Sequence, residues 1–358
     1  MSLTFEHVTL GQRVLFGTGE GAANLATEVA RLGAQRVMVF ASNRETEMAR
    51  TVAADIKVAR WHHDVVMHVP IEMAEKARAS AAEAGVDLLV CVGGGSTTGL
   101  AKAVAMTSRL PIIAVPTTYA GSEATNLWGL TEASRKTTGV DDAVLPVTVI
   151  YDAALTLSLP VALSVASGLN GMAHCIDSMW APRADPINAA LGAEGIRALS
   201  QGLPLITVNP TGIAGREQAL YGAYLSAVAF ASAGSGLHHK ICHVLGGTFN
   251  LPHAQTHAAV LPYALSFNAP AAPDAAARIA AAFGTADALT GLRDLRKRLD
   301  APEGLANYGF TTDDIAEAVA VILPAVPASN PRPVTTENLT RLLQAALTGE
   351  DPRVLLDL

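Results

Sequence analysis

Three short runs, Arg36-Val-Met-Val-Phe-Ala41, Asp87-Leu-Leu-Val-Cys-Val92 and Pro111-Ile-Ile-Ala-Val115, constrain the fold of this chain more than any other feature. Each is apolar at nearly every consecutive position, whereas a strand with one face in water would alternate apolar and polar residues. Such runs belong to central parallel strands covered on both faces. Parallel neighbours need a crossover, usually a helix. The stretches Ala22–Leu32, Ile71–Ala84 and Ser96–Ser108 have the composition for it. The pattern up to about residue 155 therefore predicts βα units around a mostly parallel sheet.

Beyond Leu159-Pro160 the β-branched runs fade and Ala and Leu dominate, as in Pro186–Leu203, Gly215–Ala233 and Asp274–Ala282. A chain of 358 residues exceeds the roughly 250–300 residues at which single cores stop growing. The composition shift therefore predicts two domains: an α/β domain over 1–159 and an all-α domain over 160–358. Pro204, Pro210, Pro252, Pro262 and Pro324 are expected to separate the helices of the second. The alanine-rich stretch 269–282 reads as well-packed helix rather than as a low-complexity linker.

Half the residues are apolar, yet no run approaches the roughly 20 residues of a membrane helix. The beginning, MSLTFEHVTLGQRV, lacks the features of a signal peptide, so the expected location is the cytoplasm. Three cysteines, Cys91, Cys175 and Cys242, lie in apolar segments without CxxC spacing and are expected to be buried, reduced thiols. Net charge is −7 with Lys and Arg scattered, which argues against a nucleic-acid partner and for a small molecule.

Gly93-Gly94-Gly95-Ser96 stands between an apolar run and a helical stretch. Consecutive glycines there let backbone amides approach a diphosphate that the helix N-terminus also attracts. The turn is not a G-x-G-x-x-G fingerprint, and a tight turn alone would also account for it. Pro116-Thr117-Thr118 follows the next run and offers hydroxyls to the same ligand. Ala41-Ser42-Asn43-Arg44 falls where an acidic residue would bind the adenosine ribose. Without an acid, and with Arg44 near, NADPH is expected to be accepted as well as NADH; equally, Asn43-Arg44 reads as the start of a solvated helix.

Six of the ten histidines fall in two short segments. Asn170 and His174 are four apart in a helical pattern and share a face, and His239 and His243 repeat that spacing. Gly246-Gly247 is expected to end that helix, and a loop over Thr248–Pro252 to deliver His253 at the start of the next. Histidines this dense in an alanine-rich context usually line a polar site; His238 and His257 read more simply as core residues.

The Gly-Gly-Gly-Ser turn, Pro-Thr-Thr-Tyr-Ala-Gly-Ser-Glu (116–123), Asn170 with His174, the His239/His243/His253 spacing and Asn330-Pro-Arg-Pro together resemble the iron-containing alcohol dehydrogenase family, in family order over most of the chain. The resemblance implies a dehydroquinate synthase-like architecture: a Rossmann-like NAD(P)-binding domain, a helical catalytic domain, an active site in the cleft between them, and a homodimer. In metal-dependent members an aspartate and three histidines hold the ion, and these would fall on Asn170, His174, His239 and His253. Asn170 brings no charge, so no metal is expected to be required; if one is bound, His174, His239 and His253 would hold it.

The wording of residues 236–253 most resembles a branch of the family that reduces a conjugated double bond in a small dicarboxylate during aromatic-compound breakdown. That reading implies hydride addition to an enone and an enolate stabilised by hydrogen bonds rather than by a Lewis acid. His243 and His253 are then expected as donor or acid, with His174 and His239 shaping the pocket and available as further donors. Asn170, Lys240 and Ser122 are expected to contact substrate. Gly93, Gly94, Gly95, Ser96, Thr117, Thr118, Ser42 and Asn43 are expected to contact NADH or NADPH. A metal-dependent alcohol or glycerol dehydrogenase and, further off, a dehydroquinate synthase-like lyase are the alternatives.

Overall fold

The computed structural model describes residues 4–132 and 135–358. The chain divides into two compact units, one over Leu10–Leu159 and one over Pro160–Leu358 that also takes in the residues up to Thr9. Those first residues follow the helices rather than the sheet: His7 Nδ1 lies 2.9 Å from the Asp185 carboxylate, a polar tie that a composition-based boundary does not register.

The sheet-bearing unit contains β1 (Arg13–Phe16), β2 (Val37–Phe40), β3 (Val58–His62), β4 (Leu88–Gly93), β5 (Ile112–Pro116) and β8 (Thr148–Tyr151), in the order β1-β8-β5-β4-β2-β3. Every pairing is parallel. β2 and β4 are buried along their whole length, as runs without alternation require. The crossovers include α1 (Gly21–Leu32), α2 (Thr46–Val52), α3 (Ile71–Ala84) and α4 (Gly95–Ser108). α1 and α3 each end at a glycine in the left-handed region, Gly33 and Gly85, whose amides return to carbonyls of the last turn. An antiparallel hairpin, β6 (Leu127–Glu132) with β7 (Arg135–Val140), stands apart from the main sheet.

The strand order reverses between β2 and β4: from β2 the chain moves outward to β3, and from β4 it moves the other way to β5. A crevice at the carboxyl ends of such strands is where open α/β sheets bind ligands. The segment just beyond β5 is held rigidly. Lys102, buried on α4, donates from Nζ to the carbonyls of Ser122, Thr125 and Leu127 and to Thr125 Oγ1, at 2.7–3.1 Å.

The other unit is helical: α5 (Val161–Ser178), α6 (Pro186–Val208), α7 (Ile213–Ala233), α8 (Leu237–Thr248), α9 (His253–Asn268), α10 (Pro273–Phe283), α11 (Ala288–Arg298), α12 (Ile315–Ile322) and α13 (Thr336–Thr348). α5 is buried from Ser164 to Ser178 and forms the centre. α6 and α7 approach through glycines: a Cβ on Gly202 would lie 2.8 Å from the Gly215 carbonyl oxygen. No larger residue fits there without parting the helices. Pro210 and Pro252 separate helices and Pro324 follows one, but Pro204 lies inside α6 and Pro262 inside α9. Burial of the flanking turns outweighs the single hydrogen bond that each proline removes. The glycine pair 246–247 likewise does not stop α8, which runs on to Thr248. Among the described residues no helix is long and apolar enough to cross a membrane.

Candidate active site

The strand ends of the sheet-bearing unit carry the first group of candidate residues. β4 runs into Gly93-Gly94 and then α4, so the free amides of a 14-residue helix open directly on the turn. A side chain is excluded at Gly93, where a Cβ would lie 2.5 Å from Thr97 Oγ1 and 2.9 Å from Glu45 Oε2. Gly94 packs against Thr118, and Gly95 against Ala120. Asn43 and Arg44 are exposed and Ser42 half-buried. Ser122, assigned to substrate, has its carbonyl committed to Lys102 in this unit.

An acid does stand here, one residue beyond the stretch read as lacking one. The half-buried Glu45 carboxylate accepts from Ser42 Oγ at 2.7 Å and from Thr117 Oγ1 at 3.0 Å. It joins the ends of β2 and β5 across β4. Three residues separate it from the end of the apolar run at Ala41, too many for the pattern to flag it.

The helical unit carries the histidines. His174 lies on α5, His238, His239 and His243 on α8, and His253 and His257 on α9, and tertiary packing makes them one constellation. The His239 ring is its centre: 4.9 Å from His174, 5.1 Å from both His238 and His257, and 6.0 Å from His243. His253 meets His257 edge-on at 4.4 Å. Phe230 on α7 stacks on His174 at 4.6 Å and tilts against His239 at 4.2 Å. His174, His238, His239 and His257 are buried, while His243, His253 and Lys240 are half-buried.

Asp177, one turn beyond His174 on α5, accepts from His239 Nδ1 at 2.7 Å and from the Gly236 amide at 2.8 Å. Gly236 precedes α8, and a Cβ there would lie 2.5 Å from Asp177 Oδ1. The carboxylate therefore caps the N-terminus of the helix that bears three histidines. Burial pushes the Asp177 carboxyl up to about 6, against the Gly236 hydrogen bond, so it is ionised at neutral pH. Burial holds the His239 imidazole well below its usual range, helped by the neighbouring histidines. His239 is then neutral, with its proton on Nδ1 facing Asp177 and a lone pair on Nε2. In this tautomer Nε2 accepts, so at neutral pH His239 cannot serve as the expected hydrogen-bond donor.

Burial also lowers His174 to about 4 and His238 to about 3, and holds His257 well below its usual value. These rings are neutral at physiological pH. His238 Nε2 and His257 Nδ1 are 3.0 Å apart, and Cys242 Sγ lies 3.6 Å from His238 Nε2. The three could share an ion, but burial keeps the thiol protonated, and hydrogen bonds account for their approach. All three cysteines are buried and free.

The buried atoms without a protein partner include Asn170 Oδ1, His174 Nδ1 and His239 Nε2, together with His238 Nδ1, His257 Nε2 and Asp177 Oδ1. Asn170 Oδ1, His174 Nδ1 and His239 Nε2 can each accept a hydrogen bond or coordinate a cation, and a carboxylate behind a histidine is the usual support of a metal ligand. By type these donors suit a divalent cation, with one negative charge fewer than an aspartate at 170 would supply, but among the described residues the ligand atoms close enough to share an ion are those of His238, Cys242 and His257. Asp177 is the residue that spacing could have revealed, since it follows His174 by three on one face. Phe230 left no signal, because it is one of many apolar residues on α7.

Residues 11–153 match the family model described as iron-containing alcohol dehydrogenase, and residues 164–347 match that of the Fe-containing alcohol dehydrogenase family, C-terminal. The chain is 45% identical over 352 residues to a maleylacetate reductase of Sphingobium indicum, covering 98% of this chain and 99% of the relative. Among solved structures, an iron-containing alcohol dehydrogenase from Corynebacterium glutamicum is 69% identical with a TM-score of 0.98, over 99% of this chain and 100% of the other. A maleylacetate reductase from a Rhizobium strain is 42% identical with a TM-score of 0.91, over 98% and 99%.

Proposed function

The chain belongs to the iron-containing alcohol dehydrogenase family, and from that premise we infer that it catalyses the maleylacetate reductase reaction. It is an oxidoreductase that reduces the carbon–carbon double bond of maleylacetate to 3-oxoadipate, with NADH or NADPH as hydride donor. The observation that carries this reading is the match, at 41–45% identity over 96–98% of the chain, to maleylacetate reductases from several bacteria. Asn170, where metal-dependent members of the family have an aspartate, agrees with it.

In maleylacetate the double bond is conjugated with a ketone. Hydride adds to the alkene carbon distant from the ketone, the electron pair moves onto the ketone oxygen as an enolate, and a proton then adds to the adjacent carbon. One hydride and one proton are consumed for each C=C bond reduced. The amides of Gly94, Gly95 and Ser96, with the hydroxyl of Thr118, hold the diphosphate and orient the nicotinamide; the Thr117 hydroxyl, expected there as well, is committed to Glu45. His243 and His253, half-buried, supply the enolate hydrogen bond and the carbon proton and recover that proton from solvent. His239 acts as the acceptor, kept in its tautomer by Asp177, and His174 with Phe230 walls the pocket. Lys240 faces a carboxylate of the dianionic substrate, and Asn170 orients a substrate oxygen.

His174, His239 and His253, with the Asn170 oxygen, would hold a divalent cation. When bound, it would supply Lewis-acid polarisation of a substrate oxygen. We propose that turnover does not depend on it, because four neutral donors hold such an ion weakly. NADH oxidation with maleylacetate in excess chelator tests both statements. Activity should persist. Complete loss on metal removal would sink the metal-independent step, and turnover of simple aldehydes without turnover of maleylacetate would sink the substrate assignment. A cytoplasmic homodimer accompanies this reading, and light scattering checks the assembly.

A further inference from the structure

The Glu45 carboxylate lies at the reversal point of the sheet, hydrogen-bonded to one hydroxyl from the end of β2 and one from the end of β5. Its Oε2 is 2.9 Å from where a Cβ on Gly93 would stand, so the glycine keeps this space open for a carboxylate. No cation pairs with Glu45 among the described residues, and Arg44 beside it is exposed. The acid is built in on purpose-shaped ground: its backbone amide closes a turn onto the Ser42 carbonyl at 2.9 Å, and Ser42 and Thr117 hold one carboxylate oxygen each.

An ionised carboxylate offers about four acceptor sites, of which these two hydroxyls use two. Its remaining acceptors suit a ligand that presents neighbouring O–H donors, the vicinal diol of a ribose, and repel a phosphate monoester at the same place. We propose that Glu45 accepts the adenosine ribose hydroxyls of the dinucleotide and thereby selects NADH over NADPH. This rests on the reading above that the strand ends bind the dinucleotide, and it narrows the expectation of dual acceptance drawn from the absence of an acid at 41–44.

The amides at the start of α4 and the exposed Arg44 both favour anions, so they pull towards NADPH. The carboxylate is nonetheless the closer and better-held group. Like charges brought together in a half-buried site cost more than an exposed, flexible guanidinium returns.

The test is direct binding, read by quenching of protein fluorescence or by calorimetry, with NADH and NADPH titrated separately into the wild-type protein, Glu45→Gln and Glu45→Asp. The wild type should bind NADH at least about tenfold more tightly than NADPH. Glu45→Gln keeps the shape and loses the charge, and should shrink that ratio about tenfold, the equivalent of about 1.4 kcal/mol, through a lower Kd for NADPH and a higher one for NADH. Glu45→Asp keeps the charge and should retain the NADH preference. If both nucleotides bind but the ratio is the same in the wild type and Glu45→Gln, the role of Glu45 is overturned while the nucleotide site stands. If neither nucleotide binds the wild type, both readings fall.

Discussion

The strand ends of the sheet and the histidine constellation of the helices are built on opposite plans. At the strand ends, backbone does most of the work: a glycine turn, free amides at the start of α4, and hydroxyls on adjacent strands, all within a few residues of three apolar runs. In the helical unit the working atoms are side chains from α5, α7, α8 and α9, and their protonation depends on burial and on one carboxylate. A backbone site fails when a methyl group is added; a side-chain site fails when a charge is removed or a proton is moved.

The largest expected effect follows from the buried imidazoles. His174 is lowered by burial to about 4 and His238 to about 3, so the unfolded chain binds more protons between those values and about 6.5. Stability therefore rises with pH through that window and is lost as pH falls. For His174 alone the shift corresponds to about 3 kcal/mol. Asp177, raised to about 6, works in the other direction between about 4 and 6, but it is one group against several. Thermal unfolding followed by circular dichroism should show a steep fall in Tm below about pH 6. A flat profile to pH 4.5 would mean that the rings are not buried as neutral groups.

Asp177→Asn comes next. The amide oxygen can take the same two hydrogen bonds but brings no charge to favour the present tautomer, and kcat/KM should fall about 100-fold, the upper end for a group that orients a functional histidine. With Asp177 raised to about 6, wild-type activity should fall as pH drops through that value, and this limb should vanish in the variant, a change that a purely structural role would not produce. At the strand ends, Gly93→Ala drives a methyl group to within 2.5 Å of Thr97 Oγ1. Nucleotide affinity should weaken about 30-fold, close to 2 kcal/mol, with the histidine site untouched; an unchanged Kd for NADH would remove the turn from the cofactor site.

Asn170→Asp sharpens the contrast from the other side. Adding a charge beside the unpartnered atoms of His174 and His239 should raise affinity for Zn²⁺ about tenfold or more, as read by competition with a chelating dye. No gain would mean that residue 170 does not share an ion with those rings. The smallest effect belongs to Lys240→Ala, where the loss of one half-exposed cation should raise the KM for maleylacetate about threefold, in keeping with a charge pair worth under about 1 kcal/mol.

How much of this was readable in advance differs between the two regions for the same reason. The runs at 37–40, 88–93 and 112–116 announced the central strands because full burial erases alternation. The glycine turn was legible because its residues are consecutive in sequence. Glu45 was overlooked because its value comes from hydroxyls on two other segments, Ser42 close by and Thr117 on a distant strand. His174, His239, His243 and His253 stood out by helical spacing. His238 and His257, read as core residues, are buried and hydrogen-bonded to each other, whereas Asp177 was passed over because its partner His239 lies on a different helix. Pro204 and Pro262 misled for a related reason: proline reports a local cost, and packing decided against it.

Sequence by itself determined the classes of structure and the side chains available: parallel strands from unbroken apolar runs, helices from alanine-rich periodicity, a glycine turn at the start of a helix, and a histidine cluster with an amide at position 170. Those follow from side-chain type and period, which need no partner to be read. Tertiary structure alone decided which atoms are accepting and which donating. Burial sets the protonation of His174, His239 and Asp177, and a 2.7 Å contact between residues 62 positions apart selects the tautomer. A proton's position is an energy difference between environments, and an environment exists only once the chain has folded around it.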